Sequence, residues 1–194
     1  MKHTLLLTSI ILSTTCLFSQ SDFLRQPAFN ISLVHHTVGI PFKDFFKKPL
    51  NLGLSFSVDF PYTDRQFQRL EVGWYKHKNF ASALWVKTDY VRRFQDSEGL
   101  FADVRGGIGF IRDFNALDSY ELTSEGVYQL KKRHGKSGLI GGLGVAGGYS
   151  FEPAEATQLS PFLDYQGFIQ FPYLNIAPVL PHSLLSIGTR FQKN

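Results

Sequence analysis

The stretch Gly99-Leu-Phe-Ala-Asp-Val-Arg-Gly-Gly-Ile-Gly-Phe-Ile-Arg-Asp-Phe-Asn115 alternates between two kinds of side chain. Every second residue forms an apolar row, which runs Leu100, Ala102, Val104, Gly106, Ile108, Phe110. The row between carries an acid, a base and two glycines, and runs Phe101, Asp103, Arg105, Gly107, Gly109, Ile111. A period of two residues predicts a β-strand whose faces meet different surroundings. We interpret the apolar row as facing lipid and the mixed row as lining a small closed barrel.

Seven more segments alternate in the same way: Phe29–Val38, Asn51–Phe60, Phe67–Lys76, Ala81–Phe94, Gly138–Phe151, Phe162–Phe171 and Ser183–Phe191. Each has roughly the length that a tilted strand needs to cross the hydrocarbon of a bilayer. An even number of such strands is typical of single-chain outer-membrane barrels. The sequence therefore predicts an all-β fold, an eight-stranded antiparallel up-and-down transmembrane β-barrel.

The segments between these strands are assigned as turns and loops. Pro61–Asp64 is predicted to be a turn, because proline and aspartate favour turns. The segment Glu152–Ser160 is predicted to be a connection, and Asp113–Lys136 is polar and shows no periodicity. Long connections follow the first, fifth and seventh strands, as expected for outer loops opposite short periplasmic turns.

The N-terminal segment Met1–Gln20 has the pattern of a secretory signal peptide. Lys2 precedes an apolar run from Leu5 to Leu17, and the small residue Ser19 follows. We therefore expect residues 1–20 to be removed and residues 21–194 to form the barrel domain. The only cysteine, Cys16, lies in this segment, so the mature chain would have no disulfide. A lipoprotein that carries lipid on Cys16 is the alternative.

The composition fits an envelope barrel better than a nucleic-acid-binding protein. The 194 residues suffice for one barrel, and they include 19 Phe and 17 Gly. The net charge is +4, but the basic residues form short groups such as Lys47-Lys48 rather than a stripe. No nucleic-acid partner is expected.

Acids and bases share the mixed rows in roughly equal numbers. The predicted lumen charge network consists of Asp59, Arg69, Glu71, Lys87, Asp89, Arg93, Asp103, Arg105, Asp164 and Arg190. Hairpin register places Asp59 opposite Arg69, and Asp89 near Arg105. In a narrow lumen such charges must pair, because a buried unpaired charge is costly.

Phenylalanine stands at the strand ends of one rim, which predicts an aromatic girdle at the level of the lipid headgroups. The girdle residues are Phe29, Phe60, Phe94, Phe151 and Phe191. We assign Phe67, Phe101 and Phe162 to the same belt, although their parity places them on the mixed rows. Charges on the apolar rows occur only near strand ends, at Lys76, Arg92 and Arg112.

Three parts of the sequence resemble small outer-membrane β-barrel proteins of the OmpA/OmpX type. They are the leader end Phe18-Ser19-Gln20, the strand Leu100–Phe110, and the closing segment Leu184–Phe191. The terminal aromatic strand is similar to the family's signal for the outer-membrane assembly machinery, although here Gln192-Lys193-Asn194 follow the Phe. The resemblance implies an envelope protein with a plugged lumen and variable outer loops.

Three motifs were weighed as active or binding sites. Gly142–Gly147 has the letters of a dinucleotide fingerprint, but an alternating strand follows it where the mechanism needs a helix. His35 and His36 are neighbours in a strand, so they face opposite ways and are interpreted as polar rim residues rather than metal ligands. His182 and Ser183 are poorly placed to share a proton, and no further His and acid were found on their row. No catalytic residue, cofactor or metal is predicted.

The sequence thus predicts a non-enzymatic integral barrel of the outer membrane, with a closed polar lumen. Its role would be structural or surface-interacting, through the loops Gly39–Pro49, Asp113–Lys136 and Pro172–Pro181. The expected partners are outer-membrane lipids, the assembly machinery and an extracellular or envelope partner that the sequence does not identify. Two alternatives stay open: a lipid-A-modifying acyl hydrolase barrel, and a soluble secreted lipocalin-like barrel that binds an apolar ligand.

Overall fold

The computed structural model describes residues 26–39, 51–76, 81–115, 120–122, 126–130, 136–151, 157–172 and 178–193. Eight long strands occur in these ranges: β1 Ala28–Val38, β2 Leu52–Thr63, β3 Gln66–Lys76, β4 Ala81–Gln95, β5 Leu100–Asn115, β8 Lys136–Tyr149, β9 Thr157–Phe171 and β10 Leu180–Lys193. They close into a barrel in the order β1-β10-β9-β8-β5-β4-β3-β2, and every neighbouring pair is antiparallel. The predicted eight-stranded antiparallel barrel is confirmed.

The two side-chain rows face the sides that the alternation predicted. Leu54 and Ile108 on the apolar rows are 56% and 70% exposed, whereas Arg69 and Arg105 on the mixed rows are each 4% exposed. A soluble lipocalin-like barrel needs the opposite arrangement, with apolar side chains inside and charges in water. That alternative is wrong for this chain.

The barrel has two distinct ends. One end, the turn rim, carries the start of β1, the end of β10, the turn Asp64-Arg65 and residues 96–99. At the turn between β4 and β5, Asp96 Oδ1 accepts hydrogen bonds from the backbone nitrogens of Glu98 (3.0 Å) and Leu100 (2.9 Å). Gly99 completes this turn with a φ of 96°, which glycine adopts without steric cost. The opposite end, the loop rim, carries the connections that begin after Val38, Lys76, Asn115 and Phe171.

Several strands are longer than the alternation predicted. β2 continues through Pro61 to Thr63 with a shift of register, so the turn is Asp64-Arg65 and not Pro61–Asp64. A bulge at a strand end tolerates proline, which cannot donate a ladder hydrogen bond. β9 begins at Thr157 and β10 at Leu180, because Thr157 pairs with Lys193 and Leu180 pairs with Gln170. Barrel closure thus orders residues that their own sequence marks as connections.

The longest connection is also partly ordered. Between β5 and β8, the short strands β6 (Tyr120–Leu122) and β7 (Tyr128–Leu130) pair as a separate hairpin, which the lack of periodicity did not predict. The predicted signal peptide lies outside the described residues, as do residues 40–49, 116–119, 123–125, 131–135 and 173–177 of the predicted loops.

Two adjacent glycines of β8 show how tightly the interior is packed. A Cβ atom on the inward Gly142 would lie 2.5 Å from Phe168 Cβ, whereas one on the outward Gly141 would have its nearest neighbour at 3.9 Å. The missing side chain of Gly142 therefore allows Phe168, which is 4% exposed, to fill the interior.

We expect Gly142→Ala to destabilise the folded barrel by about 1–3 kcal/mol, because a methyl group there overpacks the interior. Gly141→Ala is the matched control on the opposite face, and surface changes of this kind stay within about 0.5 kcal/mol. Urea unfolding in lipid vesicles, followed by tryptophan fluorescence, measures both. Equal stability of the two variants would contradict the packing described here.

Candidate functional site in the barrel interior

The side chains inside the barrel form three layers between the turn rim and the loop rim. The guanidinium layer, nearest the turn rim, comprises Asp59, Phe67, Arg69, Arg93, Phe101, Asp103 and Arg190. The hub layer follows with Glu71, Lys87, Asp89, Arg105 and Asp164. The histidine layer, nearest the loop rim, comprises His36, Tyr75, Trp85, Asp113, Phe168, Gln170 and His182. All ten residues predicted for the lumen charge network are buried in the first two layers.

Two bidentate ion pairs dominate the guanidinium layer. Arg69 donates from Nε and Nη2 to the two oxygens of Asp59, at 2.6 and 3.0 Å. Arg93 donates in the same way to Asp103, with both distances 2.8 Å. Each pair joins residues directly opposite each other on neighbouring strands. Fork-to-carboxylate pairing is the strongest form of the protein hydrogen bond, and it fixes both side chains.

Phenylalanine rings separate the guanidinium groups of this layer. Phe67 is 1% exposed, and its ring centroid lies 5.6, 5.4 and 5.0 Å from the Cζ atoms of Arg69, Arg93 and Arg190. Phe101 lies 3.9 Å from Arg93 Cζ. The faces of these rings are electron-rich and attract the cations.

The assignment of Phe67, Phe101 and Phe162 to the outer girdle is therefore wrong. Their parity decides: all three belong to mixed rows, and the rings lie inside the barrel. An added Cβ on Gly188 would lie 2.7 Å from Phe162 Cζ, and one on Gly148 would lie 2.5 Å from Phe101 Cζ. These glycines provide the space that the rings occupy.

The five residues predicted as the girdle face outward near the turn rim. Phe29, Phe94, Phe151 and Phe191 are 46%, 52%, 53% and 39% exposed, and Phe60 is partly exposed. The outward Arg92 places its Cζ 5.4 Å from the Phe94 ring. A contact of these rings with lipid headgroups stays a proposal.

Arg105 is the centre of the hub layer. Its Nη1 lies 3.2 Å from Glu71 Oε2 and 3.7 Å from Asp89 Oδ2, and its Nη2 donates to Asp164 and, at 3.3 Å, to Gln166. It thereby links β5 across the bore to β3 and β9, and also to the adjacent β4. Lys87 adds contacts with Asp89 (2.5 Å) and Glu71 (3.2 Å).

We expect Arg105→Gln to destabilise the barrel by about 3–5 kcal/mol, because it strands buried carboxylates that no other cation can serve fully. Arg92→Gln, which removes an outward-facing arginine, is the matched control and should change stability by less than about 0.5 kcal/mol. Urea titration in vesicles compares the two. Similar midpoints would show that the hub does not hold the barrel together.

A chain of hydrogen bonds crosses the histidine layer. His36 Nε2 lies 2.9 Å from His182 Nδ1, His182 Nε2 lies 3.0 Å from Gln170 Oε1, and Gln170 Nε2 donates to Asp113 at 2.6 Å. His36 is 0% exposed, so its interpretation as a polar rim residue is wrong. The interior also brings a second histidine, His36, and an acid, Asp113, into one series of hydrogen bonds with His182, although both come from other strands.

The Asp113 carboxylate at one end of this series sets the direction of every hydrogen bond in it. A carboxylate only accepts, so Asp113 requires the amide NH₂ of Gln170, and Gln170 Oε1 is left to accept from His182. His182 then carries its proton on Nε2, and its Nδ1 accepts from His36 Nε2. Every bond is satisfied with both imidazoles neutral.

We therefore expect both His36 and His182 to be Nε2–H tautomers in the folded protein. Long-range proton–nitrogen NMR correlations of the histidine side chains, recorded in detergent micelles, distinguish the two tautomers. Gln170→Leu removes the acceptor and should release His182 from this constraint. A proton on His182 Nδ1 in the unmodified protein would contradict the assigned directions of these hydrogen bonds.

Apolar and aromatic side chains surround these histidines. Tyr75 stacks on His36 with centroids 3.6 Å apart, and Phe168 stacks on His182 at 4.7 Å. Val34, Trp85, Ile111, Ile140 and Leu184 complete a buried cluster with them. The expected polar lumen is thus polar only in part, because apolar and aromatic side chains pack around the hydrogen-bonded histidines near the loop rim.

The arrangement around Ser183 does not form a catalytic pair with His182. The His182 ring lies inside the barrel, whereas Ser183 Oγ accepts a hydrogen bond of 3.2 Å from the outward Tyr165 hydroxyl. The sheet itself separates the two groups. Within the described ranges, no cluster of three or more His, Cys, Asp or Glu side chains could hold a metal ion. The described part of the chain also contains no helix long and apolar enough to cross a membrane.

Comparisons with known proteins identify the fold. No protein-family model and no curated protein sequence matches the chain. Among solved structures, Neisserial surface protein A is similar with a TM-score of 0.59 and 12% identity, over 86% of this chain and 96% of that chain. The N-terminal β-barrel domain of Pseudomonas aeruginosa OprF has a TM-score of 0.42 and 16% identity, over 86% and 99% of the two chains. The protein has the fold of the small eight-stranded β-barrels of bacterial outer membranes.

Proposed function

We propose that this protein is an integral outer-membrane barrel of a Gram-negative bacterium and acts without catalysis. Its strands would anchor the loop-rim connections at the cell surface, where they serve a structural or partner-binding role. Outer-membrane lipids and the barrel assembly machinery are the proposed partners within the envelope. The observation that carries the proposal is a closed belt of exposed apolar side chains around a filled interior.

The belt includes each of the eight barrel strands. Its members are 40–74% exposed, and one from each strand is Leu33, Leu54, Val72, Val86, Ile108, Leu143, Leu163 and Ile187. A soluble monomer rarely exposes an apolar surface that is continuous around the molecule. The outward charges Lys76, Arg92 and Arg112 are placed toward the strand ends, where they could reach lipid headgroups.

The filled interior favours an anchoring role over transport. An eight-stranded barrel leaves a bore that side chains can fill, and here three layers of paired charges and rings occupy it. Of the two sequence-derived rivals, acyl hydrolysis would need a proton acceptor beside Ser183 on the outer face. His182, its neighbour in the chain, lies on the other side of the sheet. The name of Neisserial surface protein A agrees with a surface role.

Cell fractionation with a matched pair of variants tests this proposal. We expect the protein in the outer-membrane fraction, with heat-modifiable gel migration. In vesicles, Ile108→Arg at the middle of β5 should cost about 2–4 kcal/mol, and Leu100→Arg at the strand end about 0–1 kcal/mol. Recovery from the soluble periplasm, or an equal cost at both positions, would contradict a membrane-spanning barrel.

A further inference from the structure

A cavity of about 350 Å³ opens at the turn rim, next to the guanidinium layer. Arg93, Arg190 and Lys193 line it, and one carboxylate, Asp64, stands on its wall. The side chains of Gln95, Gln158 and Gln192 supply further polar surface. Phe67, whose ring packs against the Arg93 and Arg190 guanidinium groups, belongs to the same lining.

The charges beside this cavity do not balance. The guanidinium layer contains three arginines and two aspartates, whereas the hub layer contains two bases and three acids. A positive charge is therefore in excess at the turn rim. A buried charge needs a partner close by. The extra carboxylate of the hub layer therefore does not neutralise the extra arginine of the guanidinium layer.

Arg190 is the arginine left over. Arg69 occupies both oxygens of Asp59, and Arg93 occupies both oxygens of Asp103. The Nε atom of Arg190 lies 3.5 Å from Asp59 Oδ2 and is buried without a hydrogen-bond partner among the described residues. The residue is only 6% exposed, yet it lines the cavity. A buried Nε–H group in this state lacks the hydrogen bond that offsets its desolvation.

We propose that the turn-rim cavity binds a small anionic ligand. A phosphate or carboxylate group would accept hydrogen bonds from the Arg190 guanidinium, and Arg93 and Lys193 would add positive charge. The volume exceeds what one such group fills, so the ligand carries hydroxyl or amide groups as well. The glutamine amides both donate and accept, which suits such groups. This binding site does not depend on the proposed anchoring role. It requires only that the strands at the turn rim form the closed barrel.

The experiment uses the full protein, extracted from membranes and reconstituted in nanodiscs. Calorimetric titrations with citrate and with glucose 6-phosphate distinguish a carboxylate ligand from a phosphate ligand. We expect binding of at least one probe and a loss of affinity of about tenfold or more in Arg190→Gln, because the change removes charge-assisted hydrogen bonds. Arg92→Gln is the matched control: it removes a charge from the neighbouring position of Arg93 on the outer face, and its affinity should equal that of the unmodified protein.

Folding of the variants is checked independently by heat-modifiable migration. Asp59 keeps its bidentate partner Arg69 in Arg190→Gln, so the barrel should close. Lys193→Glu, at an exposed position on the wall, provides a second weakening variant that leaves the interior intact. Absence of binding with both probes, unchanged affinity in Arg190→Gln and Lys193→Glu, or an equal loss in Arg92→Gln would each overturn the proposal. Fractionation results do not bear on these outcomes.

Discussion

A charge in the interior of this barrel is costly unless it is paired, and most of the structure follows from that constraint. Closure of eight strands removes one row of side chains from solvent, and this chain places acids and bases on that row. Each charge then needs a partner at hydrogen-bond distance. The forks Arg69–Asp59 and Arg93–Asp103 and the hub around Arg105 supply one for the charges of the guanidinium and hub layers other than Arg190. The outward-facing rows can be apolar because the polar side chains lie on the inward-facing rows.

Two mechanisms of pairing coexist inside the barrel. The bidentate forks join residues opposite each other on adjacent strands, so they reinforce the local register of the hairpins. The hub instead connects β5 with β3 and β9, neither of which is its neighbour in the sheet. Contacts of the first kind hold strands in register, and those of the second kind hold opposite walls together. In the histidine layer, the contacts from His36 to His182 and from His182 to Gln170 join the adjacent strands β1, β10 and β9, and the bond from Gln170 to Asp113 connects β9 with the non-adjacent β5.

The sequence was sufficient to predict the face of each strand and ten of the buried charges, because parity depends only on position in the chain, but the buried Asp113 was assigned to a loop. Asp59 and Arg69 could even be paired, since a short turn fixes their register. Contacts that depend on barrel closure could not be predicted, such as Arg105 with Asp164 between non-adjacent strands and His36 with His182 between the first and last strands. Parity alone predicts that Phe67 and Phe101 lie inside the barrel. The expectation of an aromatic belt at the rim led to the wrong assignment. The alternation of side chains indicates which face a residue occupies but not how far along the bore it lies. It therefore could not predict the three layers.

The pairing of β1 with β10 has a consequence for biogenesis. The first and last strands of the barrel meet along their length, from Ala28 opposite Gln192 to Val38 opposite His182. Until β10 has been synthesised, β1 and β9 therefore each present an open edge, and such edges invite pairing with other chains. Folding that begins from the N-terminus before β10 is available would leave a sheet with two unpaired edge strands. The barrel can consequently close only when β10 is available to pair with β1.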